Sequence, residues 1–194
     1  MIVAIMNLKG GVGKTTSTIA LANAARITGK SVKVVDADSQ GSATLWAISA
    51  TDKGEPLPFE VEPGNQATIP RIKTDAEEWL FIDCPPSGKV ADEAVRIADF
   101  VVVPMTPSPI DMQQTWPTVQ TLSAAGKPYA VLLVRVDKRT LTYRAAIETL
   151  KEADVSYFEE AIPQREDIKN CFGSAFGEDL FGYDSVLAEM EGVI

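Results

Sequence analysis

The chain has 194 residues, 45% hydrophobic and 23% charged, the composition of an ordinary globular protein. Its 18 Lys and Arg against 27 Asp and Glu give a net charge of −9, which excludes an overall basic coat for nucleic acid and leaves room only for a local basic patch. It contains no histidine, so His-ligated metals, Ser-His-Asp or Cys-His nucleophiles and histidine pH switches are excluded.

An apolar run at residues 2–6 predicts a strand covered on both faces, too short for a membrane span and without the basic start of a signal peptide. A glycine-rich turn leads to a helix predicted over 15–27, with Gly29 as its stop. A second strand is expected at 32–35 and a helix over 42–48. Residues 51–75, rich in Gly, Pro and Asp, are irregular, with one edge strand near 59–61. There follow a strand at 79–82, a helix at 90–98, a strand at 100–103 and a helix at 111–125 ended by Gly126 and Pro128. Residues 129–134 predict a strand, 141–153 a helix, 157–162 a last strand, and the acidic C-terminal residues a helix. The alternation predicts one α/β domain over 1–194, a mostly parallel twisted sheet with helices on both faces. The two cysteines, Cys84 and Cys171, form neither a CxxC pair nor a disulfide framework, as expected of reduced thiols in the cytoplasm.

The strongest chemical signal is Lys9-Gly10-Gly11-Val12-Gly13-Lys14-Thr15-Thr16, between the first strand and the first helix. Leu8 stands where GxxxxGK[ST] has its first glycine, but Gly13-Lys14-Thr15 keeps the core of that pattern. Glycines let successive N–H groups converge on phosphate oxygens, and the helix N-terminus adds a favourable dipole. Lys14 is the expected cation for the β- and γ-phosphates, and Thr15 the hydroxyl for Mg²⁺.

With its second lysine, KGGVGKTT resembles the deviant Walker A motif of the ParA/MinD ATPases. The likeness continues, in order, through Asp36-Ala37-Asp38-Ser39-Gln40-Gly41, Asp83-Cys84-Pro85-Pro86, and the apolar strand and proline turn Val103-Pro104-Met105-Thr106-Pro107-Ser108. Ser39 replaces a common proline, and after about residue 135 the match thins, although Ile162-Pro163-Gln164-Arg165 is similar to the family's adenine-lining loop.

The resemblance implies a P-loop NTPase fold, ATP and Mg²⁺ as cofactors, and a homodimer that forms on ATP binding. It implies that Lys9 reaches the partner's phosphates, that Asp38 is needed for hydrolysis, and that Lys9, Lys14 and Asp38 carry the reaction on a nucleotide held by residues 9–16 and 163–165. Thr15, Asp36 and Asp83 are the expected metal set, acting largely through water because Mg²⁺ retains several waters. No N-K-x-D tetrapeptide occurs, which favours ATP over GTP. Two cysteines fall short of the iron–sulfur relatives of the superfamily.

Arg135, Lys138, Arg139, Arg144 and Lys151, opposed by Asp137 and Glu148, form the local basic stretch, with Lys169 expected nearby. Relatives bind non-specific DNA through a basic surface late in the chain, so Lys138, Arg139, Arg144, Lys151 and Lys169 are the expected DNA contacts, placing the ATP state on the nucleoid. Residues 170–194 carry five acids and no Lys or Arg, unlike a basic membrane-anchoring helix, so no membrane partner is expected. The reading is a ParA-type ATPase that positions plasmid or chromosome DNA, or a protein assembly, through a ParB-like or analogous adaptor. A MinD-like regulatory module in which hydrolysis is only a reset stays open beside it.

Overall fold

Alternate residues of the first strand serve opposite faces of the sheet: Val3 and Ile5 pack into one apolar cluster, and Ile2, Ala4 and Met6 into another. The computed structural model describes residues 1–75 and 77–193. Six strands, β1 (Ile2–Ile5), β2 (Ser31–Asp36), β3 (Glu60–Pro63), β4 (Glu78–Asp83), β5 (Phe100–Met105) and β6 (Tyr129–Leu133), form one sheet in the order β3-β2-β4-β1-β5-β6. Every neighbouring pair is parallel. β1, β4 and β5 are buried almost throughout, which is why they read as continuous apolar runs rather than alternating ones.

Helices α1 (Lys14–Ile27), α2 (Ser42–Asp52) and α7 (Tyr183–Val193) supply the first cluster, through residues such as Ile19, Trp46 and Met190. Helices α3 (Lys89–Ile97), α4 (Pro109–Ala124) and α5 (Leu141–Glu152) supply the second, through Ala94, Leu122 and Leu150. A short α6 spans Glu166–Asn170. The α/β fold with helices on both faces is the expected one. No helix among the described residues is long and apolar enough to cross a membrane.

Several elements depart from expectation, among them α2, which runs to Asp52 rather than ending at 48. α4 starts at Pro109, two residues early, because Ser108 caps it by accepting the Asp111 amide and proline suits the first helical position. α6 follows Arg165 and was not foreseen; five residues are too few for a periodic signal. Residues 157–162 are not a strand: an isolated parallel bridge of Tyr157 with Val131 and the amides of Phe158 and Ile162, donating to the Val131 and Leu133 carbonyls, tie this run to β6, and a second bridge joins Pro163 to Val136 just beyond. Between them the Glu159 and Glu160 amides donate to the Glu189 carboxylate of α7, at 2.7 and 2.8 Å, and are lost to the ladder.

Parallel pairing sets the carboxyl ends of β1, β4 and β2 side by side, Ile5 opposite Asp83 and Asp83 opposite Asp36. That edge, where the chain leaves β1 for the glycine turn, is where an open α/β sheet takes its ligand.

Candidate functional site

The glycine turn is shaped by backbone no other residue adopts easily. Gly11 and Gly13 have φ of 74° and 90°, and Gly13 is the residue immediately before α1. The first turn of α1 carries no acidic side chain, and its N-cap Gly13 supplies no side-chain cap, which leaves the positive end of the helix open to an anion.

The stem of the turn is anchored to β5 and α4. The buried Asn7 amide donates to the Pro104 carbonyl at 2.8 Å and to Thr115 Oγ1 at 3.0 Å, and its Oδ1 accepts the Lys9 amide. The Leu8 amide donates to Thr118 Oγ1 at 3.2 Å. Lys9 Nζ is ion-paired with Asp111, whose other oxygen accepts the Thr106 hydroxyl. Partial burial would raise the Asp111 pKa, but the Lys9, Thr106 and Ser108 hydrogen bonds outweigh it and hold the carboxyl below its usual range.

Lys14 curls back over the loop, its Nζ donating to the Lys9 carbonyl at 3.1 Å. Burial lowers its pKa, opposed by the charges of Asp83 and Asp38. Thr15 Oγ1 donates to Asp83 Oδ2 at 2.6 Å. Asp83 Oδ1 is buried without a partner, and burial raises this carboxyl to about 7, Thr15 and Lys14 pulling down while Asp36 and Asp38 push up. An orphaned carboxylate oxygen beside a threonine hydroxyl fits a hydrated divalent cation, which would supply the missing positive charge. Asp36 is already engaged: its oxygens accept the Thr44 amide at 2.7 Å and the Asp38 amide at 3.3 Å. Asp38 Oδ1 accepts the Gln40 amide and so orders the loop before α2. Burial pushes the Cys84 thiol well up, leaving it a neutral core group.

A cavity of about 690 Å³ lies over these groups, lined by Gly10, Gly11, residues 13–16, 38–40 and 85–87, Trp46, Arg135 and Phe172. The volume is within the range of about 300–1,000 Å³ usual for small-molecule sites. An adjoining smaller pocket brings residues 163–165 against Gly13, Thr16, Arg135 and Tyr183. Lys14, Thr15, Asp38 and residues 163–165 thus come together, whereas Lys9 does not line either cavity and is turned to α4.

The basic residues are dispersed in effect. Lys138 pairs with Glu160 at 2.8 Å, Arg139 with Asp137 through two nitrogens at 3.0 Å, and Lys169 with Glu166 at 2.7 Å. Arg144 and Lys151, on α5, are exposed and have no ion pair among the described residues. Sequence reasoning missed Asn7, Thr115, Thr118 and Asp111 as loop anchors, and placed Arg135 with the basic stretch rather than at the cavity mouth. The Ser108–Asp111 spacing signals a helix start but not which cation the acid meets.

Residues 3–174 match the family described as the CobQ/CobB/MinD/ParA nucleotide binding domain. The chain is 38% identical over 170 residues to the maintenance of carboxysome distribution protein A of Gloeobacter kilaueensis, covering 83% of this chain and 76% of that protein. Among solved structures it superposes on a plasmid partition protein of Borrelia burgdorferi B31 bound to AMPPNP, with a TM-score of 0.78, 19% identity and coverage of 100% and 99%. It also superposes on the cell division ATPase MinD of Pyrococcus furiosus, with a TM-score of 0.79, 18% identity and coverage of 100% and 99%. Both likenesses are of fold, a P-loop NTPase sheet of the ParA/MinD type. With the glycine turn and the buried lysine lining one crevice, and the carboxylate at the end of β4 bonded to Thr15 beneath it, the chain is a member of the CobQ/CobB/MinD/ParA nucleotide-binding family.

Proposed function

We propose that this chain is an Mg-ATP-dependent positioning ATPase: it binds ATP, pairs with a second copy, hydrolyses the γ-phosphate and so cycles its hold on a cargo. The carrying observation is the division of labour between two lysines. Lys14 is buried over the loop, while Lys9, in the same loop, is held outside its own cavity by Asp111. A cation so placed is free to serve a neighbouring protomer once it leaves Asp111.

In this reading residues 10–16 wrap the phosphates, Lys14 neutralises the β- and γ-phosphates, and residues 163–165 lie against the base. Thr15 and Asp83 would hold a hydrated Mg²⁺, which would supply charge neutralisation of the phosphate oxygens. Asp36, with both oxygens on backbone amides, sets the loop that presents Asp38 to the attacking water.

A protein assembly is the cargo we favour, since a carboxysome-distribution protein is 38% identical to this chain; an adaptor would couple the two. Non-specific DNA as the track rests on Arg144 and Lys151. The pairing of Lys138, Arg139 and Lys169 with acids favours a second reading, a nucleotide-dependent regulator that docks on protein and uses hydrolysis only as a reset.

Sedimentation with a slowly hydrolysed ATP analogue tests the proposal. Wild type should dimerise, Asp38→Ala should dimerise on ATP itself and release phosphate poorly, and Lys9→Ala should bind nucleotide yet stay monomeric. A Lys9→Ala dimer of wild-type affinity would remove the two-protomer site.

A further inference from the structure

Arg135 follows β6 in the left-handed region, at φ 56°, a conformation that strains any residue with a Cβ. The strain is locked from both sides: the Val134 amide donates to the Met105 carbonyl and the Val136 amide to the Ile162 carbonyl, both at 2.9 Å. The reversal takes Arg135 away from the path of its neighbours. It lines both the cavity over the glycine turn, where it is the only cation besides Lys14 among the described residues, and the smaller pocket beside residues 163–165, which it shares with Arg165 and Lys169.

Its neighbours in the basic stretch, Lys138 and Arg139, have carboxylate partners, and Arg135 has none among the described residues. Its charge is felt inside: burial pushes the Tyr183 phenol up to about 12, while the hydrogen bond with Ser17 of α1 and the charge of Arg135 pull the other way.

A nucleotide bound by this crevice puts its polyphosphate in the larger cavity and its base in the smaller. That leaves the α-phosphate and ribose for the junction, where Arg135 is the one cation among the described residues that lines both cavities. We infer that Arg135 is a nucleotide-contacting residue that grips the α-phosphate and ribose side of a nucleoside di- or triphosphate, rather than a DNA contact. This rests on the nucleotide-binding reading above and adds one residue to it. Because the α-phosphate is common to ADP and ATP, the grip keeps its strength after hydrolysis, unlike the contacts of Lys14 or Lys9 with the γ-phosphate.

Calorimetry with Mg-ADP and Mg-AMPPNP tests this on wild type, Arg135→Gly and Arg135→Lys. Glycine keeps the left-handed backbone without strain, so that variant retains the fold, checked by its melting temperature. Affinity for both nucleotides should fall by about tenfold in Arg135→Gly, in the same ratio, and recover in part in Arg135→Lys. The deficit should shrink with added salt, as a lost packing contact would not. Wild-type ADP affinity in Arg135→Gly would overturn the inference, as would a loss that Lys does not rescue. If instead DNA retention loses about one unit of salt slope while ADP binding is unchanged, Arg135 belongs to the DNA surface. A wild-type protein that binds neither nucleotide would sink the underlying nucleotide reading, a separate outcome.

Discussion

Lys9 and Asp111 are ion-paired across 102 positions of chain, and Thr106 donates to the same carboxylate from the end of β5. The pair ties the first turn after β1 to the first turn of α4, and it keeps the second lysine of the glycine loop away from the crevice. Any role for Lys9 in a partner's site competes with this contact.

Asp111→Asn should therefore lower the ATP-analogue concentration needed for dimerisation. A partly exposed pair is worth about 1 kcal/mol, so the shift should be roughly fivefold. Titrated sedimentation reads it directly. An unchanged midpoint would mean that Lys9 keeps Asp111 in the dimer.

Asp83 gives the metal-free protein a pH dependence with a definite sign. Its folded pKa is about 7 against a reference of 3.8, raised first by burial. The folded chain keeps a proton that the unfolded chain surrenders, so the benefit is full below about pH 4 and is lost as pH rises through about 7. In chelator, wild type should lose on the order of 3 kcal/mol between about pH 4 and pH 8, and Asp83→Asn should lose much less. Denaturant melts across that range decide it; parallel curves for the two proteins would contradict the assignment.

Arg144 offers a cleaner probe of DNA than Arg139, whose guanidinium already holds Asp137 and lowers that carboxyl to about 2. Arg144→Glu should weaken ATP-dependent retention on random duplex DNA several-fold and flatten its salt dependence, while ATPase activity stays intact. Equal retention by wild type and variant would leave the second reading, docking on protein, in possession of the field.

What the sequence disclosed is whatever one turn of chain can express. Lys14 and Thr15 follow Gly13 directly, and Asp83 ends a strand of continuous apolar residues, so a linear pattern places them. Asp111 carries no such mark: its meaning comes from parallel pairing of β1 with β5, which sets α4 beside the loop. Arg135 is near Lys138 and Arg139 in sequence, which hides that it lines the crevice over the glycine turn while they do not. Residues 157–162 read as a strand by their apolar content, and a glutamate on α7, some 30 positions on, takes the amides that a strand would have used.

The anchoring of the glycine turn also sets an order in time. The turn is made before the residues that give it its shape: Thr15 depends on Asp83, Asn7 on Pro104 and Thr115, Leu8 on Thr118. A nascent chain that stops short of Thr118 holds the glycines without the scaffold that bends them. Shaping of the crevice is therefore a late event in synthesis, closed to copies that stop before α4, because long-range parallel pairing must come first.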